Sequence, residues 1–136
     1  TARRALRRIK TFWNGLGARV TVVDPQVHDR VLARTSHLPH LAAALLASTV
    51  GRDQPHRLGR FCGPGFMDAT RIAAGAPDLW QDIVAGNRKA VLQELQAFNA
   101  GLIQLMRWMK FNDLKAVKRF LGQSRTRRQK LVRGQP

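Results

Sequence analysis

Apolar positions along the chain recur mostly at helical spacing. In "TARRALRRIKTFWNGLG" an apolar side chain returns every three or four residues, which predicts a helix ending at Gly15 or Gly17. The following "ARVTVVDP" is rich in β-branched residues and stops at Pro25, which predicts a strand. No later segment predicts another strand, so this one has no sheet to join within the sequence.

From Pro25 onward the pattern predicts helices and loops only. "PQVHDRVLARTSHLPH" is helical up to Pro39, which is expected to disturb the backbone at Leu38. "LAAALLASTV" continues as a buried helix to Gly51, and "GRDQPHRLGRFCGPGF" predicts a long loop from its glycines and prolines. "MDATRIAAGA" predicts a short helix, and Pro77 suits the first residue of the next one.

A long apolar seam follows, with steps of four and three residues over about five helical turns. Its members are Val91, Leu95, Phe98, Leu102, Leu105 and Met109. Such a seam predicts a long helix that packs against another long helix, either within the chain or in a second subunit. A further helix is predicted from Asp113 to about Leu121, and another after Gly122 stays open. The arginine-rich end of the chain is expected to fray.

The composition supports a mainly α protein, because aliphatic residues and alanine are plentiful and tyrosine is absent. The longest uncharged apolar run, residues 41–50, is half of the ~20 residues that a membrane span needs. The basic start is followed by "FWNGLG" and not by the apolar core of a signal peptide. A single cysteine, Cys62, fits a reducing compartment. We therefore expect a cytoplasmic protein with no membrane partner.

The net charge of +16 is concentrated at the two ends of the chain. Five of the 24 basic residues lie in the first ten positions, eight lie between Lys115 and Arg133, and no acid follows Asp113. Basic ends can bind nucleic acid through counterion release, but they can also be solvated helix faces. Because aromatic residues do not alternate with the basic ones, nucleic acid is the less favoured interpretation.

The histidines of "TSHLPH", His37 and His40, share a helical face if the backbone there is helical. A metal site would also need a nearby carboxylate or cysteine. Asp29 is available, but the HExxH pattern is absent and Cys62 stands alone, so no metal is expected. The simplest interpretation is that both histidines form hydrogen bonds at a helix junction.

Arg71 lies among small and apolar residues, one helical turn after Asp68. Two interpretations remain open for it. The pair can be an ion pair at i,i+3, or the guanidinium can face a pocket and bind a carboxylate with two hydrogen bonds.

Several motifs occur in the order and near the spacing of the prephenate/arogenate dehydrogenases. They are "FWNGLGARV" at 12–20, "HD" at 28–29, "SHLPH" at 36–40, "GFMDATRIA" at 65–73, "PDLW" at 77–80 and Asn87. Each is weak alone, but together the chain from residue 11 onward resembles the C-terminal part of that family.

The resemblance implies an NAD- or NADP-dependent enzyme that oxidises and decarboxylates prephenate to 4-hydroxyphenylpyruvate, or arogenate to tyrosine. It implies that residues 1–24 are the last helix and strand of a Rossmann-type nucleotide domain. Residues 25–122 would form a multi-helix dimerisation domain, like the C-terminal domain of 6-phosphogluconate dehydrogenase, and residues 123–136 a basic tail. The fragment would form a homodimer, supply part of the substrate pocket and be inactive alone.

The resemblance also implies roles for individual residues. Arg71 matches an arginine that binds a substrate carboxylate, and His40 matches a histidine near the substrate. His37 and His28 match neighbouring family histidines, while Asp68 and Trp80 match residues that shape the pocket and hold Arg71.

The chain departs from the family pattern in several ways. The catalytic histidine and the glycine-rich phosphate loop have no counterpart here, so no catalytic or cofactor-binding residue is assigned. Gly75 stands where a serine is common. Two other classes remain open: a basic helical module that binds nucleic acid or an acidic partner, and a dimer that senses an aromatic amino acid.

Overall fold

The computed structural model describes residues 2–53 and 55–134, and every regular element in this part of the chain is helical. The α-helices in chain order are α1 Ala2–Gly15, α2 Pro25–Leu32, α3 Leu38–Gly51, α4 Pro55–Gly59, α5 Pro64–Thr70, α6 Pro77–Gly86, α7 Arg88–Lys110 and α8 Leu114–Arg133. A π-helical turn, Ala33–His37, precedes α3, and a 3₁₀ helix, Arg71–Ala74, follows α5. The mainly α, multi-helix prediction is confirmed.

The first helix ends as its glycines predict. Helix α1 stops at Gly15, and Gly17 has a φ of 81°, a left-handed conformation that glycine adopts without steric cost. The prediction of a strand after it is wrong, because residues 18–24 form no regular secondary structure. A strand needs a neighbour for its backbone hydrogen bonds, and the described residues offer none. Helix α1 itself contains no buried residue.

Helices α2 and α3 form one helical path through the π turn. Asp24 caps the start of α2 by accepting hydrogen bonds from the backbone N–H groups of Gln26 and Val27, at 2.9 and 3.2 Å. The N–H of Leu38 donates to the carbonyl of Ala33, five residues earlier, as in a π-helix. The predicted disturbance at Leu38 is thus a wide turn and not a break.

Two predictions about the segment before α6 need correction. The long loop predicted from residue 51 to residue 66 contains α4 and the start of α5. Pro55 and Pro64 are each the first residue of one of these helices, where the missing proline N–H costs nothing. The short helix predicted from Met67 onward therefore starts earlier, and it tightens to 3₁₀ geometry from Arg71.

The long helix α7 contacts both the π turn and α8. Arg34 joins it to the π turn, since its Nε lies 3.1 Å from both carboxylate oxygens of Glu94 and its Nη2 lies 2.8 Å from Oε1. At the other end, the rings of Trp108 and Phe120 lie 5.9 Å apart and bring α8 against α7.

Helix α8 is continuous where the sequence predicts an end near Leu121 and leaves a second helix after Gly122 open. Asp113 caps it through a 2.9 Å hydrogen bond from the N–H of Ala116, and the helix then runs through Gly122 to Arg133. The expected fraying after Gly122 is wrong for the described residues. A single glycine costs a helix about 1 kcal/mol, which its strongly helix-forming neighbours offset.

Few side chains are buried in the described chain. The buried apolar residues are Ala33, Ala43, Val91 and Ala116, and the buried polar ones are His37 and His40. In the predicted seam of α7, Val91 is buried, whereas Phe98, Leu102 and Met109 are 46%, 45% and 59% exposed. Helix α7 thus packs within the chain near both of its ends, through Val91 and through Trp108, and leaves the seam residues Phe98, Leu102 and Met109 about half exposed.

Candidate functional site

A stacked pair of aromatic rings, His40 on α3 and Trp80 on α6, forms the centre of the candidate site. The ring centroids lie 3.4 Å apart and the planes differ by 10°. His40 is 6% exposed, and Trp80 is half-buried. Since Trp80 is one turn into α6, the start of that helix at Pro77 sets its position over α3.

His37 supports this pair from one turn earlier on the same helical path. Its ring meets Trp80 edge to face, with a centroid distance of 6.1 Å and an interplanar angle of 85°. The Nδ2 of Asn87 lies 3.5 Å from Nδ1 of His37 and donates a 2.7 Å hydrogen bond to the carbonyl of Asp29. Asn87 therefore ties the junction between α6 and α7 to α2, next to the buried histidine.

Gly75 provides the space in which the stack forms. A Cβ atom at this position would lie 2.5 Å from Nε1 of Trp80 and 2.9 Å from Cε1 of His40, both closer than real Cβ contacts. The φ and ψ of Gly75, −61° and 151°, are open to any residue, so the requirement is for space and not for backbone freedom.

Beside the stack lies a concave, mainly apolar surface, and the volume of this concavity is about 550 Å³. Its lining includes His40, Gly75, Trp80, Ala44, Val84 and Arg88. Arg88 is the first residue of α7, is exposed, and forms no ion pair with any described residue. The surface therefore combines an aromatic wall, an apolar floor and one guanidinium at its edge, which suits a ligand with a ring and a carboxylate.

Burial lowers the pKa of His40 below its ordinary value of 6.5. The imidazole is therefore neutral at pH 7. A neutral ring has one N–H donor and one acceptor nitrogen, so His40 can orient a hydroxyl or carbonyl group.

Neither Arg71 nor Asp68 is among the residues that line this concave surface. Both side chains are exposed, and they form no ion pair with each other or with another described residue. Of the two interpretations that the sequence left open, the structure thus lacks the ion pair at i,i+3. The guanidinium of Arg71 remains available, on the 3₁₀ helix that packs against α3.

His28 also lies away from the stack. Its Nδ1 is 3.2 Å from Oδ1 of Asp29, and the side chain is 52% exposed. Among the described residues, no three His, Cys, Asp or Glu side chains are close enough to hold a metal ion together. No described helix is long and apolar enough to cross a membrane.

The sequence alone assigns no role to Arg88 or Gly75. Arg88 follows the motif residue Asn87 directly, but only the fold shows that the first turn of α7 borders the same surface as Trp80. Gly75 departs from the family pattern, and the signal for its role is the nearby tryptophan motif, "PDLW".

Comparisons with known proteins agree on the family. The profile described as "Prephenate dehydrogenase, dimerization domain" matches residues 24–123. A cyclohexadienyl dehydrogenase of Zymomonas mobilis is 41% identical over 108 residues, which is 77% of this chain and 37% of that protein. A prephenate dehydrogenase of Bacillus subtilis is 29% identical over 122 residues, 88% of this chain and 33% of that protein. The chain thus spans about a third of the length of these relatives.

Solved structures of prephenate and arogenate dehydrogenases are similar to this chain as well. The crystal structure of prephenate dehydrogenase from A. aeolicus in complex with hydroxyphenyl propionate and NAD+ superposes with a TM-score of 0.85 at 29% identity, over 95% of this chain and 46% of that one. The Synechocystis arogenate dehydrogenase superposes with a TM-score of 0.82 at 25% identity, over 94% of this chain and 48% of that one.

Proposed function

Because this chain belongs to the prephenate dehydrogenase dimerization-domain family, we propose that it is the substrate-binding and dimerising part of a prephenate or arogenate dehydrogenase. The reaction class is the NAD(P)-dependent oxidative decarboxylation of prephenate to 4-hydroxyphenylpyruvate, or of arogenate to tyrosine. The observation that supports this assignment best is the stack of buried His40 on Trp80, beside a concave surface edged by Arg88, which forms no ion pair with a described residue.

Substrate binding needs groups that hold two carboxylates, since prephenate is a dianion. Arg71 and Arg88 are both exposed and form no ion pair with a described residue, so neither has to give up a partner to bind a carboxylate. A guanidinium offers two parallel N–H donors to such a group. We assign Arg71 to one carboxylate, as the family resemblance implies, and Arg88 to the cleft beside Trp80.

His40 then orients the substrate by hydrogen bonding and does not offset the negative charge of a substrate carboxylate. Its ring is neutral at pH 7, and Trp80 fixes its plane. His37 acts through its edge contact with Trp80 and its contact with Asn87, so it is a positioning residue. Asp68 and His28 remain proposed pocket residues on the family match alone.

The cofactor does not fit in the described part of this chain. A dinucleotide site needs a glycine-rich turn between a strand and a helix, and the described residues contain no strand. We propose that NAD or NADP binds to another domain of the enzyme. The exposed apolar residues of α1, among them Phe12 and Trp13, would pack there as the end of that domain.

A chimera with the Zymomonas relative tests this function. The 108 residues of that enzyme that match this chain are replaced by their counterparts here, which leaves the rest of the enzyme in place. We expect the chimera to oxidise prephenate or arogenate with NAD+ or NADP+. The isolated chain is expected to show no turnover.

The arginine assignment is tested in the same chimera. Arg71→Ala should raise KM roughly 10–100-fold, corresponding to about 1.4–3 kcal/mol for a lost charge-assisted contact. Arg88→Ala should raise KM in the same direction, whereas Arg57→Ala, on α4 away from the cleft, should leave it unchanged. An inactive but folded chimera would argue against the function, and an unchanged KM in Arg71→Ala would argue against that residue's role alone.

A further inference from the structure

Helix α8 presents a row of cations that the proposed enzyme function does not use. The basic stripe consists of Lys115, Lys118, Arg119, Arg125, Lys130 and Arg133. We propose that the basic stripe is a binding surface for the phosphate backbone of nucleic acid, independent of base sequence.

The stripe lies on one face because of helical periodicity. Lys118 and Arg125 are seven residues apart, Arg119 and Lys130 eleven, and Lys115 and Arg133 eighteen. These separations are close to two, three and five turns of 3.6 residues. The twenty residues of α8 extend over about 30 Å, so the cations spread along one side of the helix over that length.

The stripe points away from the rest of the described chain. Helix α8 meets α7 through buried Ala116 and through Phe120, which lie outside the arc of the stripe. All six stripe residues are exposed, and none forms an ion pair with a described acid. No acidic residue follows Asp113 in the sequence, so the positive charge of α8 is not neutralised locally.

Half of the stripe lies beyond the family match, which ends at residue 123. Arg125, Lys130 and Arg133, together with the flanking Arg127 and Arg128, belong to this added part. The dimerisation domain of the family therefore does not explain them. A helix that simply remained soluble would need fewer cations and would tolerate acids among them.

The chemistry of the stripe favours nucleic acid over two other polyanionic surfaces. The side chains between the cations, Gly122, Thr126 and Gln129, are small or polar, so the stripe lacks the apolar anchors of a protein interface. A membrane-surface helix needs a continuous apolar face. The exposed Leu121 and Leu131 of α8 are separated on their side of the helix by Ser124 and Arg128, and no aromatic residue follows Phe120. Regularly spaced phosphates need only a line of cations.

Fluorescence anisotropy with a labelled 20-base-pair DNA duplex of arbitrary sequence tests the proposal on this 136-residue chain. Binding should fall with KCl, with a slope of about −5 in log K against log salt for six phosphate contacts. The triple variant Arg125→Gln, Lys130→Gln, Arg133→Gln should reduce this slope by about 3. Circular dichroism of each variant confirms that the helices are retained.

A matched control separates the stripe from overall charge. Arg3→Gln, Arg4→Gln, Arg7→Gln on α1 lowers the net charge by the same amount, and it should leave the slope nearly unchanged. Equal losses in the two triple variants would overturn the proposal, as would the absence of binding at 50 mM KCl. So would preferential binding to phosphatidylserine vesicles or to a polyglutamate peptide. None of these outcomes bears on the dehydrogenase chimera.

Discussion

At the scale of single residues, the space left by Gly75 determines whether the site can form. The side chains of His40 and Trp80 occupy the volume that any larger residue would need. The sequence predicted both aromatic residues as pocket members, but it could not predict that they stack. Stacking depends on how α6 crosses α3, which no local pattern encodes.

Replacing Gly75 by alanine should therefore displace the stack. We expect Gly75→Ala to lower the free energy of unfolding by about 1–3 kcal/mol, the usual cost of overpacking. Urea denaturation followed by circular dichroism measures it. Gly86→Ala is the control, because a Cβ there meets nothing within 4 Å and alanine favours the helix. Equal free energies of unfolding for Gly75→Ala and the unsubstituted protein would show that the two rings move apart without loss of stability.

The burial of His40 makes stability depend on pH. Its pKa in the folded state is lowered from 6.5, so below pH 6.5 the unfolded chain binds a proton that the folded chain resists. The free energy of unfolding should thus fall as the pH drops through 6.5, by at most about 1.4 kcal/mol per pH unit for one proton. Urea denaturation at pH 7.5, 6.5 and 5.5 measures this slope.

Two variants assign that slope to one residue. His40→Gln should flatten the pH dependence, whereas His56→Gln, at an exposed position on α4, should retain it. The same slope in all three proteins would mean that His40 does not resist protonation in the folded state.

At the scale of elements, helix type was predictable and helix boundaries were not. The sequence predicts a disturbed backbone before Pro39 and a helix end near Gly122, yet Pro39 lies within the first turn of α3 and Gly122 lies inside α8. In both places the neighbouring turns continue the helix despite the local cost. The predicted strand is wrong because a strand needs a partner. Residues 18–24 include β-branched side chains, but no partner strand exists among the described residues.

Gly122 offers a direct test of the continuous α8. A Cβ there meets nothing within 4 Å, so Gly122→Ala should raise the free energy of unfolding by about 0.5–1 kcal/mol. Gly17→Ala should act in the opposite direction, since its φ of 81° strains any residue with a Cβ. Thermal denaturation of both variants gives the comparison. A destabilised Gly122→Ala would indicate that the helix breaks at this residue.

At the scale of the whole molecule, the uncovered apolar surface is the main feature. The seam of α7 was predicted to meet another long helix, within the chain or in a second subunit. Phe98, Leu102 and Met109 remain about half exposed in the single chain. The spacing of apolar residues revealed the seam. It could not show which seam residues pack within the chain and which pack against a second subunit, because that depends on where α8 packs.

We expect this part of the seam to be covered in a homodimer. A charge placed there would be buried without a partner, so Leu102→Asp should weaken dimerisation by more than 100-fold. Light scattering after size exclusion, at micromolar concentration, should show a dimer for the unsubstituted protein and a monomer for this variant. Leu131→Asp, in the last turn of α8, is the control and should remain dimeric. A dimeric Leu102→Asp would place the interface elsewhere.

The π turn at Ala33–His37 has a consequence for insertions and deletions. It holds one residue more than an α-helical turn, and each residue of an α-helix corresponds to a rotation of about 100°. Deleting one residue within the turn would remove this extra residue, and the path would continue as an α-helix with α2 and α3 in nearly the same orientation. Asp29 would then stay near Asn87, and His40 and Trp80 would keep their places. Deleting a residue in the α-helical part of α2 or α3 would instead rotate one helix relative to the other by about 100°.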